Sequence, residues 1–450
     1  MKFRKFGRIG LALAVSLGTG LGVTSCSTDH TVGYFYTTGA QYNQISGFRI
    51  DNNLGQLTPV PNSPFASGGV NPIKALTANA GKFLYVLNAG CGGTSQIACP
   101  PNTAPSDTGA NISLFTIGGQ GSISFQAAYT SQGNNPVSIQ TDTAGTHFFV
   151  LDSTVTDPTT CVGYVPGDPT TICGDITSFN IDPNTGRLSL ITNQGVKPNG
   201  NGTNLTYFPV GSGPIEFSVT PSNAFIYTIE KGFTGDCTVT PPPTSGPCLN
   251  DPPQAVFVYG NTSGQLTLSQ NTPIRTGATQ LTYIYTSAKA NVYLIDAQDG
   301  TTPGQILPYT IGTNGALQSL VGGQVANSGT VANPGPMIVD RQGKFLYLTN
   351  MGPNLTATSE ASSVSAFFID PTTSRLTPLA TSVPFGSGSS PRCIIEDPSN
   401  QYLYTANYAD STVTGAVINS STGTLTNLRR ATSFTSTGEP TWCTASGTLF

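Results

Sequence analysis

Charge is scarce in this 450-residue chain: Lys, Arg, Asp and Glu make up 9% of it, against about 25% in ordinary globular domains. The few ionisable groups near one another in a repeating pattern are therefore the first place to look for chemistry. Lys74, Glu216 and Arg392 each follow a proline by one or two residues, and Trp442, the single tryptophan, has the corresponding place near the C-terminus. A carboxylate can draw a proton from water, and a guanidinium or ammonium can hold a carbonyl oxygen as it becomes an oxyanion. Glu216, Arg392 and Glu230 are accordingly the candidates for catalysing an ester hydrolysis. Lys74, Asp152, Asp296 and Trp442 are the candidates for binding a ligand. The alternative for Glu216 and Arg392 is a buried salt link that satisfies both without any ligand.

A second polar series ends the aromatic segments of the chain: Asn88, Asp152, Glu230, Asp296, Asn350 and Asn407. These residues read either as a ring of acceptors around an aperture or as local caps, since Asn and Asp bond readily to nearby backbone. Other chemistry is absent from the sequence. No HExxH, GxSxG, P-loop, GxGxxG or EF-hand string occurs. The two histidines, His30 and His147, lie far from the cysteines, so neither a metal nor a cofactor is expected. The formal charge of −4 argues against nucleic acid as a partner.

The elements that must position these residues come in seven copies. A short aromatic strand recurs at 34–39, 83–88, 147–152, 225–230, 292–296, 345–350 and 402–407. A turn and strand of the form G-x-L recurs between them at 55–57, 121–123 (as GSI), 186–188, 264–266, 315–317, 374–376 (as SRL) and 423–425. Strands opened by Pro72, Pro136, Pro214, Pro336, Pro391 and Pro440 supply a further element; in the fifth unit Thr279-Gln280 stand in place of the proline and LTYIYTS (281–287) takes its strand. Period-2 alternation bounded by Gly, Asn and Pro predicts strands throughout. Each unit thus holds four antiparallel strands: A after the proline, B the aromatic strand, then C and D.

One such sheet cannot bury both faces, so copies must stack around an axis. The expected fold is all-β, a seven-bladed β-propeller of four-stranded antiparallel blades over residues 33–450. The chain begins with B, C and D and ends with an unmatched A strand at 441–447, which predicts that the C-terminal strand completes the first blade and leaves no open edge. Strand direction puts the D–A and B–C connections on one face and the short A–B and C–D turns on the other. The long B–C loops of the second to fourth units share the first face with the proline ends of the A strands, where any small-molecule site is expected.

Nine cysteines include Cys26 near the N-terminus. Of the remaining eight, Cys91 with Cys99, Cys161 with Cys173 and Cys237 with Cys248 are expected to staple those three loops. Cys393 and Cys443 are left to join the last blade to the first. They stand two and three residues after their prolines, and because strand side chains alternate, a local bulge is expected to bring the sulfurs together.

Lys2, Arg4, Lys5 and Arg8 precede an apolar run from Ile9 to Val23, the order of a secretory signal and too short for a good membrane span. Val23-Thr24-Ser25-Cys26 resembles the lipobox of bacterial lipoproteins, with ordinary cleavage beside an incidental cysteine as the alternative. The resemblance implies a signal peptide over 1–25, lipidation at Cys26, a short anchor linker over 26–32, and an exported cell-envelope protein held to a periplasmic or surface membrane by lipid alone. Loss of the leader removes four basic and no acidic side chains and takes the formal charge from −4 to −8.

The strings GKFLYVLN (81–88), GKFLYLTN (343–350), DPSNQYLYTANY (397–408) and VSAFFIDPTTSRLTPL (364–379) resemble the lactonase-type seven-bladed propellers, the 6-phosphogluconolactonase-like and YVTN-repeat proteins. The resemblance covers nearly the whole chain after residue 33. It implies a channel site in which His, Glu and Arg serve lactone hydrolysis. Arg392 lies in SPRC, where the family's PRH segment has a histidine in place of Cys393. Two readings follow: a monomeric propeller binding a small molecule, glycan or protein at the channel mouth, and an active lactone hydrolase acting on a small cyclic ester.

Overall fold

The computed structural model describes residues 30–91, 110–161, 173–194, 204–230, 255–270, 272–298, 304–320, 322–327, 333–352, 362–379 and 385–447. The expected signal peptide and Cys26, together with Cys99, Cys237, Cys248 and most of the three long B–C connections, lie outside them. Strands dominate the described residues, and their only helical segments are the single 3-10 turns Pro158–Thr160 and Thr313–Gly315.

The strands form seven antiparallel sheets, each ordered A, B, C, D from the axis outward. The A strands are Pro440–Ser446, Pro72–Ala78, Asn134–Thr141, Pro214–Val219, Leu281–Thr286, Pro334–Val339 and Pro391–Glu396, for blades one to seven. Each lies beside the next around the whole circle. Closure is as the sequence predicts: Thr31–Gly39 pairs with Pro440–Ser446, Tyr34 opposite Ser446 and Gly39 opposite Pro440. In the sixth blade the opening proline is Pro334, opposite Asn350. Pro336, the expected opener, falls inside that strand. The D strand is split into two short pieces in every blade except the second, where Ile123–Tyr129 runs unbroken.

Seven apolar clusters hold the blades together, one at each interface. Phe35, Phe48, Tyr404 and Val413 pack between the seventh and first blades, and Tyr36, Ile45, Leu84 and Phe115 between the first and second. Each such side chain, fully buried, contributes roughly 1.5–3 kcal/mol of transfer free energy.

The two recurring motifs meet across these interfaces. Tyr36, Tyr85, Tyr227, Tyr347 and Tyr404, in the middle of their B strands, donate their hydroxyls to the carbonyls of Gly121, Gly186, Gly315, Gly423 and Gly55 in the next blade's C–D turn, at 2.5–3.0 Å. The turn glycine is needed twice over at Gly423. Its φ of +74° is costly for other residues, and a Cβ there would enter the Phe345 ring. Two interfaces lack the latch for reasons visible in their residues. Phe149 has no hydroxyl to offer. Tyr293 faces a turn bearing Ser374 instead of glycine, and its buried hydroxyl meets no partner in hydrogen-bonding geometry, with Asn291 standing nearby.

Cys393 and Cys443 form a disulfide with Cα atoms 5.7 Å apart. Both A strands carry a bulge, at Arg392 and at Thr441, but in equivalent places, so the bulges leave the one-residue offset intact. The offset is itself what the bond requires. Cys393 points forward to the first blade and Cys443 back to the seventh, so they must come from opposite faces of equivalent strands. Cys161 and Cys173 are also joined. Cys91 is disulfide-bonded; its expected partner, and the whole Cys237 and Cys248 pair, lie outside the described residues.

Candidate functional site

The bulge that opens six of the A strands fixes the side chain after it at one level just inside the channel. There the register of the strand shifts, and the residue next in pairing is Trp442, Lys74, Ser138, Glu216, Tyr283 and Cys393 in blades one, two, three, four, five and seven. Pro336 has this place in the sixth blade, its carbonyl accepting the Thr349 hydroxyl. Around an axis these positions make a single ring, although they are as far apart in sequence as Lys74 and Trp442.

Five members of the ring touch one another or share a partner. Lys74 Nζ lies 2.6 Å from Glu216 Oε2 and 3.3 Å from the centre of the Trp442 ring, with the Tyr283 ring 5.7 Å away. Tyr283 and Trp442 have their ring centres 6.5 Å apart. Ser138 donates to Glu216 Oε1, which also accepts from the Phe217 amide at 3.1 Å. The Lys74 and Glu216 side chains are only 12% and 6% exposed, so their attraction acts with little screening by water. Burial pulls the Lys74 ammonium below its usual value, and the Glu216 carboxylate opposes that shift. Burial, with the Glu216 charge adding to it, raises the Tyr283 phenol well above its usual range.

The arrangement can present an aromatic wall and a compensated ion pair to a small molecule. Lys74 could direct a proton at a ligand oxygen while Glu216 accepts one from a hydroxyl or from water. An apolar wall with a few convergent polar groups is the common form of a ligand site. Among the described residues no group of three or more His, Cys, Asp or Glu could hold a metal.

The other candidates stand elsewhere. Arg392 lies on the bulge of the seventh blade with its guanidinium 5.0 Å from the centre of the Tyr408 ring, at the start of the B–C connection. Burial pulls it below its usual value, with Tyr408 opposing. The residues ending the B strands are turned into their own blades. Asp296 accepts from the amides of Gln280 and Gln298 and from the Gln305 side chain. Glu230 takes the Thr228 hydroxyl and packs against Gly211. Asp152 accepts from Ser131 opposite Asp175; both carboxyls are fully buried, and desolvation raises both. Asn88, Asn350 and Asn407 bond to side chains of their own C strands. His147 is at the opposite face, bonded to Asp142 at 2.7 Å.

Residues 300–441 match the model of the lactonase family, a seven-bladed β-propeller. The fold is a seven-bladed β-propeller. No curated protein sequence matches the chain. Among solved structures, a protein assigned as a 6-phosphogluconolactonase from Bacteroides fragilis aligns with the propeller at a TM-score of 0.61 and 16% identity, covering 93% of this chain and 99% of that one. The periplasmic gluconolactonase of Pseudomonas aeruginosa aligns at 0.60 and 15%, covering 92% and 99%. A protein from Lactobacillus plantarum aligns at 0.57 and 15%, covering 92% and 99%. Identities this low speak for the fold alone.

Sequence reasoning missed Ser138 and Tyr283. The signal was present, because each ring residue stands two places after the residue that precedes the bulge of its A strand: Pro136 for Ser138, and Leu281 for Tyr283. Screening the motif for charge alone passed over both.

Proposed function

We propose that this propeller is exported, anchored by lipid at Cys26, and binds a small, ring-shaped, hydroxyl-rich molecule at the channel mouth. The observation that carries the reading is the convergence of Trp442, Tyr283, Lys74, Ser138 and Glu216 from five blades on one level of the channel. Aromatic faces favour the C–H surface of a sugar-like ring, and the ion pair offers both a donor and an acceptor for hydroxyls. The leader and lipobox support export, and the Cys161–Cys173 and Cys393–Cys443 bonds fit an oxidising compartment.

Lactone hydrolysis is the second reading, favoured by the family match over 300–441 and by neighbours assigned as lactonases. In that case Glu216 draws a proton from the attacking water and Lys74 steadies the developing oxyanion. Because Trp442 is the single tryptophan, its fluorescence reports on the site alone. Titrating the chain lacking residues 1–26 with D-glucono-1,5-lactone while following Trp442 emission and acid release separates the readings. Binding without turnover supports the binding module. Turnover lost in Glu216→Gln and Lys74→Ala supports the hydrolase, and an unmoved Trp442 emission with no turnover refutes both for this ring class.

A further inference from the structure

The channel mouth occupies one face of the propeller, and the chain enters the described structure on the other. The His30 carbonyl accepts the Asn52 amide at 2.8 Å, and Thr31 stands opposite Asp51, so the first strand starts beside the C–D turn of its own blade. Cys26 is four residues upstream of His30, a span of at most about 14 Å at full extension. Thr31–Gly39 crosses the propeller in nine residues, about 30 Å at the rise of a strand. A lipid on Cys26 therefore cannot bring the mouth against a bilayer. Within its reach lie the turn face and the outer edge of the first blade.

Charge separates these two surfaces. The outer edge of the first blade, residues 57–66, carries no charged side chain. The turn face exposes Lys82, Lys289, Arg341 and Lys344 in A–B turns and Arg187 and Arg375 in C–D turns, spread over four blades. Carboxylates are as numerous there but are turned inward: Asp142, Asp340 and Asp397 are buried and, like Asp182 and Asp370, accept the amides of their own turns. The groups that reach furthest into solvent are thus the ammonium and guanidinium ends of long stems. Each is worth about 1 kcal/mol near an anionic lipid surface, and the attraction acts only within a Debye length, a closeness that a short tether enforces. Among the described residues the mouth end exposes one cation, Arg275, against these six.

We infer that the turn face lies on a lipid surface bearing anionic headgroups, and that the channel mouth opens away from it. The inference rests on the lipid anchor proposed at Cys26 for the tether, and on the six cations for the orientation. It sets the mouth a full strand length from the bilayer, so a ligand is drawn from the aqueous space and not from the membrane.

The test uses the full chain, processed and lipidated at Cys26, in vesicles of phosphatidylcholine and phosphatidylglycerol that carry a dansyl acceptor on a headgroup. Trp442, the single tryptophan, marks the mouth. Asn184→Trp and Thr372→Trp, each made together with Trp442→Phe, mark two exposed C–D turns, and far-ultraviolet circular dichroism verifies that the variants fold. With a strand length between the two faces, energy transfer to the headgroups is expected to be roughly twofold or more stronger from the turn positions than from Trp442. It should fall by roughly half in phosphatidylcholine alone, or at 1 M salt, where the screening length shrinks to about 3 Å. Transfer as strong from Trp442 as from the turns overturns the inference and leaves the anchor standing. Transfer from the turns that ignores both salt and lipid charge also overturns it, because the tether alone then sets the orientation. A chain that does not float with the vesicles overturns the anchor and the inference together.

Discussion

Replacing Tyr85 by Phe removes one oxygen atom and tests what holds neighbouring blades in register. The Tyr85 side chain is fully buried, and its hydroxyl donates to the Gly186 carbonyl across the interface of the second and third blades at 2.5 Å. The net worth of such a bond is about 1 kcal/mol, and a buried carbonyl left unpaired adds about 1–3 kcal/mol. Tyr85→Phe should therefore cost roughly 2 kcal/mol in equilibrium urea unfolding with disulfides intact. Tyr293→Phe is the internal control. The Tyr293 hydroxyl is already buried without a bond, so its removal should cost nothing measurable. Phe149→Tyr supplies a hydroxyl where a B strand lacks one, facing the turn of Gly264, and should gain about 1 kcal/mol if the bond forms. Equal losses from Tyr85→Phe and Tyr293→Phe would refute the reasoning, because burial of the ring would then be the whole effect.

Three further outcomes are expected. Cys393→Ser with Cys443→Ser removes a crosslink spanning 50 residues, worth about 4 kcal/mol by loop closure, and deleting residues 440–450 should expose a sheet edge and cause aggregation visible by light scattering; a truncated chain that melts as the parent does would exclude this closure. Burial pushes the Glu396 carboxyl up to about 8, above its unfolded value near ~4.3, so the fold holds a proton that the unfolded chain has lost. Stability should be full below the unfolded value and fall by up to ~1.4 kcal/mol per pH unit as pH rises toward 8, and Glu396→Gln should flatten that fall; an unchanged slope contradicts the assignment. Gly423→Ala forces a side chain into left-handed backbone against Phe345 and should cost well over ~1 kcal/mol in the same unfolding measurement.

The fold was legible because the repeat is written twice, once as the aromatic B strand and once as the G-x-L turn, and because the ends leave complementary strands. The physical link between the two motifs was not legible. That FLYVLN (83–88) bonds to the glycine of the following unit depends on which blade stacks against which, and the seven turns look alike in isolation. The disulfide of Cys393 and Cys443 was expected, yet the alternation of side chains was applied as if both strands belonged to one sheet. Strands in facing blades present opposite faces to each other, which turns the offset from an obstacle into a requirement. At the site, Lys74, Glu216 and Trp442 emerged from their distance to a proline, whereas Tyr283 stayed hidden because Leu281 stands where that proline would be. The charged ends of the B strands drew notice as a ring of acceptors. Their direction depends on backbone pairing, and the pairing turns Asp296 toward the amides of Gln280 and Gln298.

The most direct test of the channel mouth as the working site is a crystal structure of the chain grown with saturating D-glucono-1,5-lactone. The account predicts ligand density against Trp442, with polar atoms within hydrogen-bonding distance of Lys74 and Glu216. Density confined to the outer grooves, beside Leu188 and Leu190 or beside Tyr309 and Gln324, with an empty channel mouth, would contradict it.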